Sequence, residues 1–271
     1  MDLICPICGA PLLREGRAYR CERRHSYDMA RRGYVNLLPP SPAGKRHGDD
    51  RRMVAARTAF FARGYYDHLQ RFVARLAAEL TGAAPVIVDA GCGEGAYTRR
   101  VFDALAASGR APELFGVDIS TDALRHAARL VPEGVFCAAS TAHLPLPDGC
   151  ADLILNIFSP FMPAEFRRVL RPDGHLLRVV PMERHLWELK AAVYDTPYEN
   201  PPADLAADGF TLVRQEELRR TITLTSQEDI QALFQMTPYY YKTGADDQRK
   251  LEAFRTLDVT TEFAVAVYAV S

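Results

Sequence analysis

The stretch Val86-Ile87-Val88-Asp89-Ala90-Gly91-Cys92-Gly93-Glu94-Gly95 decides the fold. Its apolar opening predicts a short strand buried on both faces, and its alternating glycines predict a tight turn that lets the backbone approach a ligand. A helix follows to about residue 107. Outward from this unit the pattern repeats. Residues 114–119 read as a strand with Asp118 near its end, and 121–130 as a helix capped by Ser120 or Thr121. Strands at 135–138 and 151–158, a helix at 164–170, the turn Arg171-Pro172-Asp173-Gly174 and a strand at 175–180 complete the series. Such alternation predicts a parallel sheet covered on both faces. The tail departs from it, with strands at 210–225 and 260–270 and helices around 226–235 and 246–254 between them.

Two cofactor readings compete for the glycine loop. Gly91-x-Gly93-x-x-Ala96 approximates the dinucleotide fingerprint, in which glycines bring a helix N-terminus onto a pyrophosphate. Asp89-x-Gly91-x-Gly93-x-Gly95 fits better the acidic, glycine-alternating loop that holds S-adenosylmethionine, a ligand with an amino-acid end and a sulfonium. A carboxylate just before the turn suits that cation. The cofactor candidates are therefore Asp89, Gly91, Gly93 and Gly95, with Asp118 placed to accept hydrogen bonds from ribose hydroxyls under either reading. The antiparallel tail and the turn at 171–174 favour an α/β fold of class I (Rossmann-like), an S-adenosylmethionine-dependent methyltransferase domain expected over residues 81–271.

Length and composition agree with an enzyme of this kind. The chain has 271 residues, 48% hydrophobic and 25% charged, enough apolar material for a sizeable core and far from a disordered or fibrous composition. No stretch approaches the roughly 18 to 20 apolar residues of a membrane span, and no signal pattern opens the chain. A cytoplasmic protein without membrane contact is expected. The net charge of -1 hides an asymmetry: residues 1–75 hold 15 Lys+Arg against 7 Asp+Glu, whereas 76–271 hold 18 against 27. A basic block on an acidic body predicts an attachment surface for a polyanion such as nucleic acid. The plainer reading is a solvated arginine-rich face.

Three of the six cysteines lie in the first 21 residues, which is not the pattern of a secreted disulfide framework. Cys5-Pro-Ile-Cys8 and Cys21-Glu-Arg-Arg-His25 supply three thiolates and an imidazole in two close pairs, a closed tetrahedral zinc set. With no open position the ion is structural. His47 is an alternative fourth ligand, inside a Pro/Gly-rich linker. A zinc-binding RNA-recognition domain is thus expected over residues 1–38, and a linker with two helices over 39–80. Arg31, Arg32, Tyr34, Arg51 and Arg52 are candidate RNA contacts, the cations for phosphates and the aromatic ring for an unpaired base. Tyr34 packed beneath the zinc unit is the alternative.

Cys5-Pro-x-Cys8, Cys21 to His25, Asp28-Met29-Ala30, Gly33-Tyr34-Val35-Asn36-Leu37-Leu38, the loop at 89–95, His185-Leu186 and Gln235-Met236-Thr237-Pro238 together resemble the RlmA family. Its members are bacterial 23S rRNA guanine-N1 methyltransferases with a zinc-binding head. The resemblance runs from Cys5 to about Tyr241. It implies methyl transfer from S-adenosylmethionine to N1 of a guanine in a 23S rRNA stem-loop, with a link to macrolide resistance in some members. It also implies cofactor contacts at Tyr66, Gly93, Glu94 and His185. A homodimer is a further expectation.

The strand ending near residue 158 should face the acceptor. No cysteine follows it, which argues against pyrimidine C5 chemistry, and Asn156-Ile157-Phe158-Ser159-Pro160 departs from the Asn/Asp-Pro-Pro-aromatic pattern of amine methylation. Asn156 and Ser159 are the candidates for orienting the base, against the plainer reading of Asn156 as a cap or packing residue. No general base announces itself. A small-molecule methyltransferase of the same fold and a noncatalytic RNA-binding protein are the alternatives.

Overall fold

The computed structural model describes residues 2–39 and 48–271; His47, the alternative zinc ligand, lies outside them. The chain begins with four short strands, β1 (Leu3–Ile4), β2 (Pro11–Glu15), β3 (Ala18–Arg20) and β4 (Ser26–Asp28), which form an antiparallel sheet in that order. A further strand, β5 (Tyr34–Asn36), leaves this head and pairs elsewhere. Two helices follow, α1 (Arg51–Ala62) and α2 (Asp67–Leu80). Asp50 caps the first, its Oδ1 accepting the N–H groups of Arg52 and Met53 at 2.9 and 3.0 Å. The second buries Leu69, Val73 and Leu76, one stripe of an amphipathic helix, against the body.

The body runs β6 (Val86–Ala90), α3 (Ala96–Ala107), β7 (Glu113–Asp118), α4 (Thr121–Leu130), β8 (Val135–Ala138), β9 (Ala151–Ile157), α5 (Pro163–Val169) and β10 (Leu170–Pro181). After α6 (Trp187–Val193) come β11 (Phe210–Leu224), the short helices α7 (Gln227–Gln235), α8 (Tyr239–Lys242) and α9 (Ala245–Arg249), and β12 (Leu257–Val270). One eight-stranded sheet in the order β11-β12-β10-β9-β6-β7-β8-β5 unites them. The strands from β10 to β5 run parallel, and β12 and β11 are antiparallel additions. This is the expected class I arrangement with its antiparallel tail. The parallel strands are joined by crossover connections that carry the helices α3, α4 and α5.

The structure adds detail to two expectations. The turn at residues 171–174 is instead a bulge inside β10: Leu170 pairs with Ala151 and His175 with Leu153, so the intervening residues are looped out of register without breaking the strand. The boundary expected at residue 38 falls beyond β5, whose Tyr34, Val35 and Asn36 pair in parallel with Phe136, Cys137 and Ala138 of β8. Head and body share the sheet.

The β6 residues alternate between two cores. Ile87 faces Leu69, Val73, Val101 and Leu105 of the helical layer. Val86, Val88 and Ala90 face the other side, where Phe166 of α5 packs together with Leu3, Leu12 and Tyr19 of the head. Leu3 and Leu12 are fully buried, each worth about 2 kcal/mol relative to exposure. The head is therefore seated on the second face of the sheet. No helix among the described residues is long and apolar enough to cross a membrane.

Candidate active site and metal centre

In the head, two tight turns bring the four metal-binding side chains together. Gly9 N–H donates to the Cys5 carbonyl at 2.8 Å, and Arg24 N–H to the Cys21 carbonyl at 2.9 Å. Gly9 takes φ +71°, which a glycine adopts freely. The ligand atoms of Cys5, Cys8, Cys21 and His25 all lie within 4.8 Å of one another. Cys8 Sγ and Cys21 Sγ are 3.7 Å apart, and His25 Nδ1 is 3.4 Å from both Cys5 Sγ and Cys21 Sγ. Bonds of about 2.3 Å to sulfur and 2.0 Å to nitrogen give tetrahedral edges of about 3.5 to 3.8 Å, so the set fits Zn2+. Tyr27 Oη lies 3.3 Å from Cys5 Sγ, a hydroxyl beside a ligand sulfur.

At the C-terminal ends of the central strands, the glycine loop joins β6 to α3. Asp89 is fully buried and accepts Thr98 Oγ1–H at 2.6 Å. Burial pushes its carboxyl up to about 7 despite that bond, with the negative charges of Asp118 and Glu94 adding to the rise. Asp118, ending β7, accepts Gly93 N–H on Oδ2 at 2.8 Å and Ser120 N–H on Oδ1 at 2.7 Å. Burial raises its pKa as well, while those two N–H groups oppose the rise.

Glu94 is buried beneath an arginine that the sequence did not single out. Arg57, from α1, donates through Nε to Glu94 and through Nη1 to Asp49 at 2.6 Å. Burial alone would favour its neutral form, but the two carboxylates hold it more firmly charged than usual. Its Nη2 lies 3.2 Å from where a Cβ on Gly93 would stand, and Gly93 has φ +54°. A side chain there meets both strain and this guanidinium. Only tertiary packing turns Arg57 inward, so local periodicity carries no mark of it.

Tyr66 and His185 meet from distant parts of the chain. Tyr66 Oη is 3.5 Å from His185 Nε2, and Phe263 packs against both rings at centroid distances of 5.4 and 4.7 Å. His185 Nδ1 accepts Glu262 N–H at 3.2 Å. Burial, aided by the charge of Lys190, lowers the imidazole to about 3, so it is neutral at ordinary pH.

Asn156 and Ser159, expected to orient an acceptor base, spend their donors on the protein. Asn156 Nδ2 donates to Ser159 Oγ at 2.6 Å and to the Pro160 carbonyl at 3.1 Å, and Ser159 Oγ donates to the Ala90 carbonyl at 2.5 Å. They brace the loop after β9 against the end of β6. A Cβ on Gly91 would stand 2.3 Å from Ser159 Cβ, so the loop also requires glycine there. Between the two braces Phe158 takes φ +53°, a left-handed conformation that costs a side-chain-bearing residue about 1 to 2 kcal/mol.

The basic candidates separate. Arg31 and Arg32 are exposed in the turn before β5. Arg51 pairs with Asp122 at 3.3 Å while remaining largely exposed, whereas Arg52 bonds the Tyr240 hydroxyl and lies over that ring. Tyr34 is corrected: β5 carries its ring into the core with Phe136 and Leu124, where no base can reach it.

Comparison with known proteins places this geometry. Residues 3–42 match the family model described as RlmA, N-terminal, and residues 87–174 match that described as Methyltransferase domain. A 23S rRNA (guanine(748)-N(1))-methyltransferase of Streptomyces fradiae is 41% identical over 82% of this chain and 80% of its own length. A Bacillus subtilis (strain 168) protein, YxjB, provisionally described as a 23S rRNA (guanine-N(1)-)-methyltransferase, is 31% identical over 97% of this chain and 95% of its own. Among solved structures, the MccD protein superposes with a TM-score of 0.50 at 16% identity, covering 74% of this chain and 96% of that one. The [4+2]-cyclase SpnF gives a TM-score of 0.50 at 18% identity, over 74% and 81%. These two speak for the fold alone.

Proposed function

The chain belongs to the family of 23S rRNA (guanine-N1)-methyltransferases, and from that membership we infer that it methylates N1 of a guanine in 23S rRNA with S-adenosylmethionine as donor. The observation that carries this reading is the seating of a four-ligand zinc head on the same sheet that bears the glycine loop. A small-molecule enzyme of this fold has no evident use for such a head.

The donor set of the head fits a structural zinc ion: among the described residues three sulfurs and one nitrogen close on each other as a four-donor set. Asp89, Gly91, Gly93, Glu94, Gly95, Asp118, Tyr66 and His185 would hold the methyl donor. S-adenosylmethionine supplies an electrophilic methyl group on a sulfonium. Asp89, whose carboxyl is pushed up to about 7 by burial, would be drawn to its charged form by the ligand's cationic end, and Asp118, anchored through both oxygens, retains lone pairs for hydroxyl donors. Arg57 fixes the Glu94 carboxylate. Tyr66, held by His185, forms an aromatic wall with Phe263.

Guanine N1 loses a proton of pKa above 9 when it is methylated, so the site must let that proton depart. His185 does not take it, because Nδ1 already accepts a backbone N–H and Nε2 carries the ring hydrogen. The exposed Arg31 and Arg32, with Arg51, supply cations for the phosphates of a stem-loop. A cytoplasmic location suits a ribosomal substrate. A homodimer and a contribution to macrolide resistance belong to the same proposal, tested by sedimentation and by growth on macrolides.

The direct test is methylation of unmodified 23S rRNA, mapped by mass spectrometry and by reverse-transcription stops. One new N1-methylguanine is expected. RNA left unmodified while S-adenosylmethionine is consumed on a small molecule would overturn the reading.

A further inference from the structure

We propose that Phe158 is the platform on which the target guanine stacks, a residue role that rests on the RNA-methylation reading above. Phe158 is 44% exposed as a residue, although the residues flanking its turn are tied down on both sides. Its backbone is left-handed, and its N–H donates to the Val179 carbonyl at 3.2 Å, so the strained conformation is locked. Strain of this kind persists where the surrounding structure enforces it, and it gathers at functional sites.

The ring's neighbours are aromatic. Phe263 lies 5.4 Å from it between centroids and Tyr97 stands edge-on at 6.4 Å. Phe263 in turn touches Tyr66 and His185. Phe158 is thus the exposed end of an aromatic series that runs down to the proposed cofactor wall. The Tyr97 hydroxyl is buried and has no partner among the described residues. Buried polar atoms are nearly always bonded, so this hydroxyl is left for a polar ligand group beside Phe158.

Ser159 ties this loop to Ala90, the last residue before the glycine turn. The platform therefore cannot move independently of the loop proposed to hold the methyl donor. A base taken out of its helix and laid on Phe158 has a π face to rest on, and its edge is free to face the donor. Guanine has the required face, and the protein needs no hydrogen bond from Asn156 or Ser159 to orient it. Stacking one base on an aromatic ring typically changes affinity by about 5- to 150-fold on replacement by alanine.

The test compares Phe158→Tyr, Phe158→Leu and Phe158→Gly in the full chain, with unmodified 23S rRNA as substrate. Tyr keeps the face, Leu keeps bulk without a π system, and Gly removes both while releasing the left-handed strain. Phe158→Tyr is expected to methylate within about threefold of the parent. Phe158→Leu and Phe158→Gly should lose about 5- to 150-fold in kcat/KM for RNA, with S-adenosylmethionine affinity by calorimetry unchanged. Phe158→Gly should melt no lower than Phe158→Leu, which separates the loss from unfolding. Leu methylating as well as the parent overturns the platform, as does a Leu variant that loses S-adenosylmethionine affinity in step with activity. A parent protein that binds S-adenosylmethionine yet modifies no guanine overturns the RNA reading, and the platform with it.

Discussion

His185 Nδ1 accepts the Glu262 N–H at 3.2 Å, and this bond between α6's leading loop and β12 sets the protonation of the imidazole. The hydrogen of the neutral ring must sit on Nε2, facing Tyr66. Nitrogen-15 spectra should therefore show one Nε2–H tautomer from pH 5 to 8. A histidine held neutral when folded, and free to protonate when unfolded, adds stability that is complete above about pH 6.5 and lost as pH falls toward 3. His185→Gln, which can still donate to Tyr66, should retain more S-adenosylmethionine affinity than His185→Leu. A titration of the ring near pH 6.5 would contradict the buried bond.

Asp89 illustrates the opposite sign. Its folded pKa of about 7 lies above the ordinary 3.8, so its burial is no burden below pH 3.8 and becomes a growing one as pH rises to 7. Asp89→Asn should stabilise the ligand-free protein at pH 8 by roughly 1 to 3 kcal/mol. The same change should abolish most S-adenosylmethionine binding. Equal melting temperatures at pH 8, with the wild-type affinity retained, would sink both parts.

Metal removal should be felt beyond the head. Zinc contributes on the order of 10 kcal/mol to a small domain of this kind. Since Leu3 and Leu12 share one core cluster with Phe166 and Val88, unfolding the head is expected to open that core. Chelation is thus expected to lower the melting temperature of the entire chain in one transition, and Leu12→Ala to cost about 2 to 5 kcal/mol even with zinc bound. Metal analysis should find one zinc per chain. Two separate calorimetric transitions would argue for an independent head.

Phosphate contact by Arg31 and Arg32 has a salt signature. Each neutralised phosphate contributes about 0.7 to 0.9 to the logarithmic salt slope of RNA binding. Arg31→Ala with Arg32→Ala should reduce the slope by roughly 1 to 2 without changing S-adenosylmethionine affinity. Arg52→Ala should change it less, because Arg52 is already engaged with Tyr240. An unaltered slope in the double variant would make the pair a solvated surface.

The strand, glycine turn and helix from Val86 onward are legible because their signals are local: apolar run, required glycines, helical spacing. The zinc ligands are legible for the same reason, since the closely spaced residues of each pair form one turn. Asp118 and His185 have their geometry fixed by bonds to Gly93 and Glu262, the latter 77 residues away in sequence, which no local pattern reveals. Tyr34 misleads because an aromatic among arginines suits both a base-stacking surface and a buried strand, and only the pairing with β8 decides. Asn156 and Ser159 stay ambiguous in the sequence because a polar residue at a strand end serves equally to bind or to brace, and the structure shows the bracing bonds. Phe158 reads as ordinary strand continuation until its backbone is seen to turn left-handed.

The pairing of β5 with β8 also orders events during synthesis. Residues 34–36 leave the ribosome about a hundred residues before 135–138, so β8 finds its outer neighbour already made when it appears. An unpaired strand edge is a template for aggregation, and here it is covered as soon as it forms. Removing the head would leave nascent β8 bare, and such truncated chains should accumulate as insoluble material in the cell before any question of RNA arises.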